Sequence, residues 1–498
     1  MQVDFKRLGA GPVLAVLLML TGCTALGPDF VRPAPPSEAA FLHAPVSPSR
    51  TPASLPAAWW TLFGDARLDE LEHLTLADSP TVHASAARLL QARAQWSAAD
   101  AARQPTLTLG ASSERLRSSA TTPQAIALGG RSIEGSQHTA RGTLSWELDL
   151  WGRLRRVVES AGAQAQAAEA QAAGVRLLLT TQVASLYWQW RGATSELDVV
   201  NRALVTRQQA RQLVADRLRV GLASELDLDR ADVELANAEA ELQSLGRQQS
   251  LLEHSLAVLV GSSPSKPLPT LGTVTASFQL PAPPAVPVGL PAQVLAQRPD
   301  LAASVAQLHA ASADIGIAEA AFYPTLQLTG NYGYASESLR HLANGRSRTY
   351  ELGPLALTLP MLDGGRRRAD LALAKARHEE AAAELSGRLL IALREVEDAL
   401  SDGEHLQKQG EHQTAARMAA DRVQAMATAR YERGLSSYLE VTDAQRLSLA
   451  AERAATQIAA QRLQTAVALM RALGGGWQEA APPGPVAANP SLATPSAQ

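Results

Sequence analysis

An internal repeat constrains the fold of this chain more than any other feature of its sequence. Pro80 recurs as Pro299 at an offset of 219 residues, and Gly221 recurs as Gly434 at an offset of 213. A repeat of this period indicates two copies of one supersecondary unit. The fall from 219 to 213 assigns six extra residues to the hairpin loop of the first copy. We expect each copy to contain, in order, a helix, a strand, a loop, a strand, a long helix, a tight turn and a long helix.

Two stretches without proline predict unusually long helices. No proline lies between Pro123 and Pro264, or between Pro360 and Pro482. Residues 152–220 of the first stretch would form a helix of roughly 100 Å at 1.5 Å per residue. Hydrophobic residues reach 46% of the chain but aromatic residues only 4%, a composition typical of long packed helices.

A single glycine marks a tight turn within each long stretch. Gly221 is followed by Ser224, and Gly434 is followed by Ser436 and Ser437. Serine is a favoured residue at a helix N-cap, so each turn is expected to join two antiparallel helices. Abundant alanine would let such helices pack closely on both flanks, as helices in the wall of a barrel must. An ordinary antiparallel coiled coil is the alternative.

Four short segments alternate apolar and polar residues with the period of a β-strand. They are residues 106–112, 143–150, 325–334 and 355–359. Such segments are typical of outer-membrane barrels, although a soluble sandwich would share the pattern. Four strands are too few to close a barrel, whereas three chains would supply twelve. Gly353 and Pro354, just before the fourth segment, suit a bulge or an edge position.

The N-terminus has the pattern of a secretion signal. Lys6 and Arg7 precede a short apolar run at residues 13–20, which leads into Leu20-Thr21-Gly22-Cys23. This sequence resembles a bacterial lipobox, which implies cleavage before Cys23 and its lipidation; a chance cysteine is the alternative. Two or three acyl chains anchor a protein stably where one does not. Thr24, rather than aspartate, favours the outer membrane in lipoproteins of this kind.

Catalytic, metal-binding and nucleic-acid-binding functions find no support in the sequence. The formal net charge is −3, which does not suggest a nucleic-acid partner. Cys23 is the only cysteine, and the histidines are dispersed, so we expect no metal and no cofactor. Ser263-Pro264-Ser265-Lys266 fits a Ser-x-x-Lys pattern, but it lies in a proline-rich connector without the accompanying motifs. The chain is therefore not expected to be an enzyme.

The order of short motifs in this sequence resembles that of the TolC-like outer-membrane efflux proteins, in particular the lipoprotein branch that includes OprM and NodT. The matching motifs span almost the whole mature chain, at residues 20–23, 27–33, 59–65, 68–71, 298–301, 321–324 and 363–366. The resemblance implies a mixed, mainly α fold with an internal twofold repeat. It implies a homotrimer in which an outer-membrane β-barrel, with four strands per chain, continues into a long periplasmic α-helical barrel.

Six segments follow from the repeat and the resemblance. They are a signal peptide (1–22), an N-terminal equatorial segment (23–78), the first repeat (79–262), a proline-rich connector (263–290), the second repeat (291–473) and a disordered tail (474–498).

The resemblance also implies a function. The chain would be a passive, gated conduit for small molecules from periplasm to exterior, anchored to outer-membrane lipid. Its partners would be a periplasmic adaptor protein and an inner-membrane transporter that supplies the energy. A conduit for protein export and a non-transporting structural lipoprotein of the envelope remain alternatives.

Site residues are carried over from the family motif that surrounds the second turn. Glu440 and Asp443 match acidic residues that line the periplasmic constriction, and Tyr431 matches a tyrosine that ties the closed gate. The i, i+3 spacing of Glu440 and Asp443 places both carboxylates on one helix face. The alternative explanation for this pair is an ordinary solvated helix face. The turns at Gly221 and Gly434 would dock the adaptor.

Overall fold

The computed structural model describes residues 25–34, 40–43, 55–127, 129–268, 271–272, 280–286 and 297–478. The predicted signal peptide, Cys23, part of the connector and most of the predicted tail lie outside the described residues. Within these ranges, every helix lacks the sustained apolar stretch that a transmembrane helix requires.

Eight α-helices and four strands make up the described elements. The helices are α1 (Ala66–Asp78), α2 (Pro80–Ala101), α3 (Pro123–Ala127), α4 (Arg153–Arg219), α5 (Glu225–Leu259), α6 (Pro299–Ala320), α7 (Arg366–Glu432) and α8 (Tyr438–Ala472). The strands are β1 (Thr106–Arg117), β2 (Glu134–Leu148), β3 (Thr325–Ser336) and β4 (Arg348–Thr358). Short 3-10 helices cover Trp59–Phe63, Leu339–His341 and Gly345–Ser347.

Corresponding helices of the two halves have equal lengths. Helices α2 and α6 each contain 22 residues, α4 and α7 each contain 67, and α5 and α8 each contain 35. The order of helix, two strands, long helix and shorter helix is thus the same in both halves. The chain divides into two compact units, and the boundary crosses α2, α4, α6 and α7.

The first unit contains residues 1–33, 87–169 and 303–387, and its centre is one antiparallel sheet in the order β1-β2-β3-β4. All four strands overlap the segments predicted from alternation, but β2 begins at Glu134 rather than at residue 143, and β4 begins at Arg348 rather than at residue 355. The register between β3 and β4 shifts between Leu328 and Gly330, opposite Gly353 and Pro354. The predicted bulge at these two residues is therefore confirmed.

The two faces of the sheet differ sharply in polarity. One row across the four strands contains Leu109, Gly142, Tyr332 and Tyr350, and in this chain Leu109 is 86% exposed and Tyr350 80%. The opposite face presents threonine, serine, asparagine and glutamine at the alternate positions. An exposed apolar face of this kind requires an apolar environment or a partner.

The N-terminal segment of the first unit is held by a buried arginine. The Arg156 guanidinium donates hydrogen bonds to the carbonyl oxygens of Leu26 (3.0 Å) and Gly27 (3.2 Å), and to Asp29 (2.8 Å). Phe30 stacks on His309 with 4.4 Å between ring centroids. These contacts explain structurally why residues 27–30 form a recognisable motif.

The second unit contains residues 34–86, 170–302 and 388–498, and it has an aromatic core. Trp59 and Phe63, from the N-terminal motif, are buried in one cluster with Tyr187 and Trp188 of α4. Asp65 caps α1 by accepting from the backbone N–H of Arg67, and it also accepts a 2.8 Å hydrogen bond from the Tyr187 hydroxyl. The motif at residues 59–65 therefore attaches the N-terminal segment to the long helix.

A second motif of this unit has a similar structural role. The Arg298 guanidinium, nearly buried, donates to Asp300 (2.7 Å), Glu395 (2.8 Å) and the carbonyl oxygen of Ala472 (2.9 Å). Gly474 and the next two glycines are also packed, so the first residues of the predicted tail belong to this region.

Candidate functional site at the two helix turns

The two predicted turns have the same backbone structure. The N–H of Gly221 bonds to Leu218 O at 3.0 Å, and the N–H of Gly434 bonds to Tyr431 O at 2.8 Å. In each turn the next residue also bonds back to the last helical turn, which is the usual glycine termination of a helix. The φ angles of Gly221 and Gly434 are +76° and +73°, a conformation that side chains with a Cβ rarely adopt. Both glycines therefore have a structural reason to be glycine.

The helices that follow the turns begin differently. Ser224 and Asp227 form a reciprocal capping box at the start of α5, which confirms the predicted N-cap. Ser437 occupies the N-cap of α8, but its side chain makes no capping hydrogen bond.

Tyr431 lies in a small buried cluster at these turns. It is 7% exposed, and its ring centroid is 5.5 Å from that of Tyr438. The Arg217 guanidinium lies over the Tyr431 ring, 4.4 Å from its centroid. Val214, Ala231 and Val441 complete the cluster. Burial raises the pKa of the Tyr438 hydroxyl, so this ring stays neutral at physiological pH.

Arg217 joins the two hairpins directly. Its Nη1 donates to the carbonyl oxygen of Tyr431 at 2.8 Å, and its Nη2 donates to that of Glu432 at 2.7 Å. These carbonyls end α7, where the helix dipole favours a positive charge. Arg217 was not among the predicted site residues, although a basic residue in the last turn of α4 was an available signal.

Glu440 and Asp443 occupy the exposed face of the first turns of α8. Tyr438, Val441 and Thr442, from the same turns, point to the interior. Within the described ranges, neither carboxylate lies within 4.0 Å of a basic nitrogen. The structure therefore separates the predicted gate residues: Tyr431 packs inward, whereas Glu440 and Asp443 face solvent.

A ladder of ion pairs connects α5 and α8 beyond the turns. Glu234, nearly buried, is bonded by Arg207 (3.2 Å) and by Arg446, whose Nε lies 2.8 Å from Glu234 Oε1. Arg453 is paired with Glu241, seven residues further along α5. This ladder was not predicted either, although the seven-residue spacing of both the acids and the arginines indicates it.

Apolar side chains project from both turns. Val220, Leu222 and Leu435 are 69%, 76% and 65% exposed. Apolar residues at the end of a hairpin are costly to leave in water and are typical of a docking surface.

No three His, Cys, Asp or Glu side chains converge as metal ligands in the part of the chain that the structure describes. The arrangement at the turns instead offers exposed carboxylates, a fixed tyrosine and apolar tips. With a sheet that is apolar on one face, these features define the class of outer-membrane channel subunits.

The comparison with known sequences agrees with this class. The profile of the outer membrane efflux protein family matches residues 71–262 and 290–475, and the chain belongs to this family. Outer membrane protein OprJ of Pseudomonas aeruginosa is 34% identical over 472 residues, which cover 94% of this chain and 96% of OprJ. The cation efflux system protein CusC of Escherichia coli is 30% identical, over 93% of this chain and 98% of CusC.

A solved structure matches the fold as well. The outer-membrane channel OprN superposes with a TM-score of 0.83 at 30% identity, over 91% of this chain and 99% of OprN.

Proposed function

We propose that this chain is the outer-membrane subunit of a tripartite efflux pump, a passive gated conduit that carries small molecules from periplasm to exterior. The observation that carries the proposal is the four-stranded sheet with one exposed apolar face and one polar face. Lipid would cover the apolar face, and water would fill the polar side. A purely structural lipoprotein would have no use for such a sheet.

The edges of the sheet support a homotrimer. Strands β1 and β4 each have only one strand neighbour in a single chain. Exposed edges of this kind invite pairing with another chain. Three copies joined edge to edge give twelve strands, a barrel wide enough for a water-filled lumen.

In this trimer, Glu440 and Asp443 would supply six carboxylates around one axis. A ring of carboxylates attracts cations and repels anions at a constriction. Arg217, bound to the carbonyls of Tyr431 and Glu432, would hold the second hairpin against the first and keep the constriction closed. Opening would then require these hydrogen bonds to break.

The apolar turns would dock the periplasmic adaptor, and the inner-membrane transporter would supply the energy. Lipidation of Cys23 would anchor the chain in the outer membrane. The name of CusC, a cation efflux protein, favours small solutes over exported proteins.

The docking proposal is tested by placing charge on the tips without touching the glycines. A Leu222→Glu/Leu435→Glu variant should lose efflux in a pump strain that lacks its own channel, because a docking surface tolerates buried carboxylates poorly. Leu222→Ala/Leu435→Ala is the matched control and should lose less. The glutamate variant must still form trimers and conduct ions in bilayers. Normal drug resistance in the glutamate variant would show that the turns do not dock a partner.

A further inference from the structure

The polar face of the sheet contains a single basic residue among the four described strands. By strand register, the polar row at mid-strand contains Gly110, Arg141, Gly333 and Thr349. All other basic residues of the four strands lie on the opposite face. Arg141 is exposed in this chain. No carboxylate lies within 4.0 Å of its guanidinium in the described ranges. Its charge is therefore available to solutes.

Glycines flank Arg141 on both neighbouring strands. A Cβ at Gly333 would lie 2.3 Å from Ala140 O and 2.6 Å from Arg141 Cβ, so β2 and β3 approach too closely for any other residue. Gly110 likewise presents no side chain. Arg141 is thus the only long side chain of its row, and nothing within the row covers it.

Hydrogen-bonding groups surround this position. Gln137, Thr139, Arg141, Asn331, Thr349 and Glu351 line a cleft of about 440 Å³. The Asn331 side chain is held between Thr143 (2.8 Å) and Glu351 (3.4 Å). Three acids share this face. Glu147 is neutralised by a bidentate contact with Arg153 (3.0 and 2.8 Å), whereas Glu114 and Glu351 have no basic nitrogen within 4.0 Å among the described residues.

The position of Arg141 along β2 agrees with a side chain that faces a water-filled lumen. It is the central residue of the 15-residue strand β2. An arginine that faces lipid at the midplane of a membrane strand is energetically costly, so Arg141 faces the lumen.

We propose that Arg141 forms a ring of three guanidinium groups in the barrel lumen, which binds small anions transiently and offsets the negative charge of Glu114 and Glu351 on the same face. This inference rests on the proposed trimeric conduit. Arg141 would then raise the anion permeability of a conduit whose constriction at Glu440 and Asp443 selects cations. Chloride is the simplest probe, and carboxylate-bearing solutes are the chemical class that a guanidinium binds best.

The test measures reversal potentials of purified trimers in planar bilayers under a potassium chloride gradient. The parent is the Glu440→Gln/Asp443→Asn variant, so that the acidic constriction does not dominate. Adding Arg141→Gln should lower the chloride-to-potassium permeability ratio by about threefold at roughly 10 mM salt, where the Debye length is about 30 Å. The difference in permeability ratio should vanish near 1 M salt, where the Debye length is about 3 Å.

Two further variants make the result specific. Arg141→Lys keeps the charge and should keep the permeability ratio. Arg115→Gln removes an arginine from the opposite face, where Arg115 is paired with Glu134, and should change nothing. An identical reversal potential in Arg141→Gln and its parent would overturn the inference and leave the conduit standing. Failure of folded trimers to conduct at all would overturn the conduit itself.

Discussion

At the residue scale, the least expected group is Glu72 on α1. Its side chain is fully buried, and neither carboxylate oxygen has a hydrogen-bond partner among the described residues. Burial raises the pKa of Glu72 well above its ordinary value, and the nearby charge of Asp69 adds to this effect. A neutral carboxyl is much cheaper to bury than an ion, so burial favours the protonated form of Glu72.

The raised pKa makes stability fall with rising pH. Because the unfolded carboxyl titrates near pH 4.3, the contribution of Glu72 is fully present below about pH 4. It is lost as the pH rises toward the folded pKa. Glu72→Gln should therefore unfold at the same temperature as wild type at low pH, and should become progressively more stable than wild type as the pH rises.

Thermal unfolding in detergent, measured across pH, checks this expectation. Glu70→Gln, at the exposed neighbouring position, is the matched control and should leave the pH profile unchanged. A Glu72→Gln profile parallel to wild type would show that Glu72 is ionised in the folded chain.

At the scale of single elements, the two hairpins provide a matched comparison of helix caps. In α5 the Ser224 hydroxyl accepts from Asp227 N at 3.2 Å, whereas Ser437 makes no such bond in α8. Ser224→Ala should destabilise the first turn of α5 by about 1 kcal/mol. Ser437→Ala should cost less than about 0.5 kcal/mol at the start of α8. Amide hydrogen exchange at the two turns measures both effects, and equal losses of protection would contradict the capping difference.

Elements were predictable because their patterns are local. The alternation in β1 and β3, and the glycine at each turn, depend on residues close together in sequence. The contacts between elements were not predictable in the same way. Arg217 binds carbonyls more than two hundred residues away, and any of several arginines near the end of α4 could have done so. Glu234 similarly meets Arg446 only through the packing of α5 against α8.

At the scale of the whole molecule, Arg217 has a testable role in closure. Its two charge-assisted hydrogen bonds should each contribute about 1.5 kcal/mol or more to the closed state. Arg217→Ala should therefore shift the equilibrium toward open channels by about tenfold or more. Arg219→Ala is the control, since Arg219 is largely exposed and pairs with Asp216 on its own helix. Equal open probabilities of the two variants would exclude Arg217 as a clamp.

The proposal that three copies form a conduit closed by an acidic ring is tested most directly by single-channel recording. Purified wild-type protein and the Glu440→Gln/Asp443→Asn variant would be compared in planar bilayers. We predict small, cation-selective currents from wild type, and larger currents with weaker cation selectivity from the variant, because the carboxylates both narrow and charge the constriction. Currents of the same size and selectivity from both proteins would place the constriction elsewhere, and the absence of pores from folded trimers would contradict the conduit.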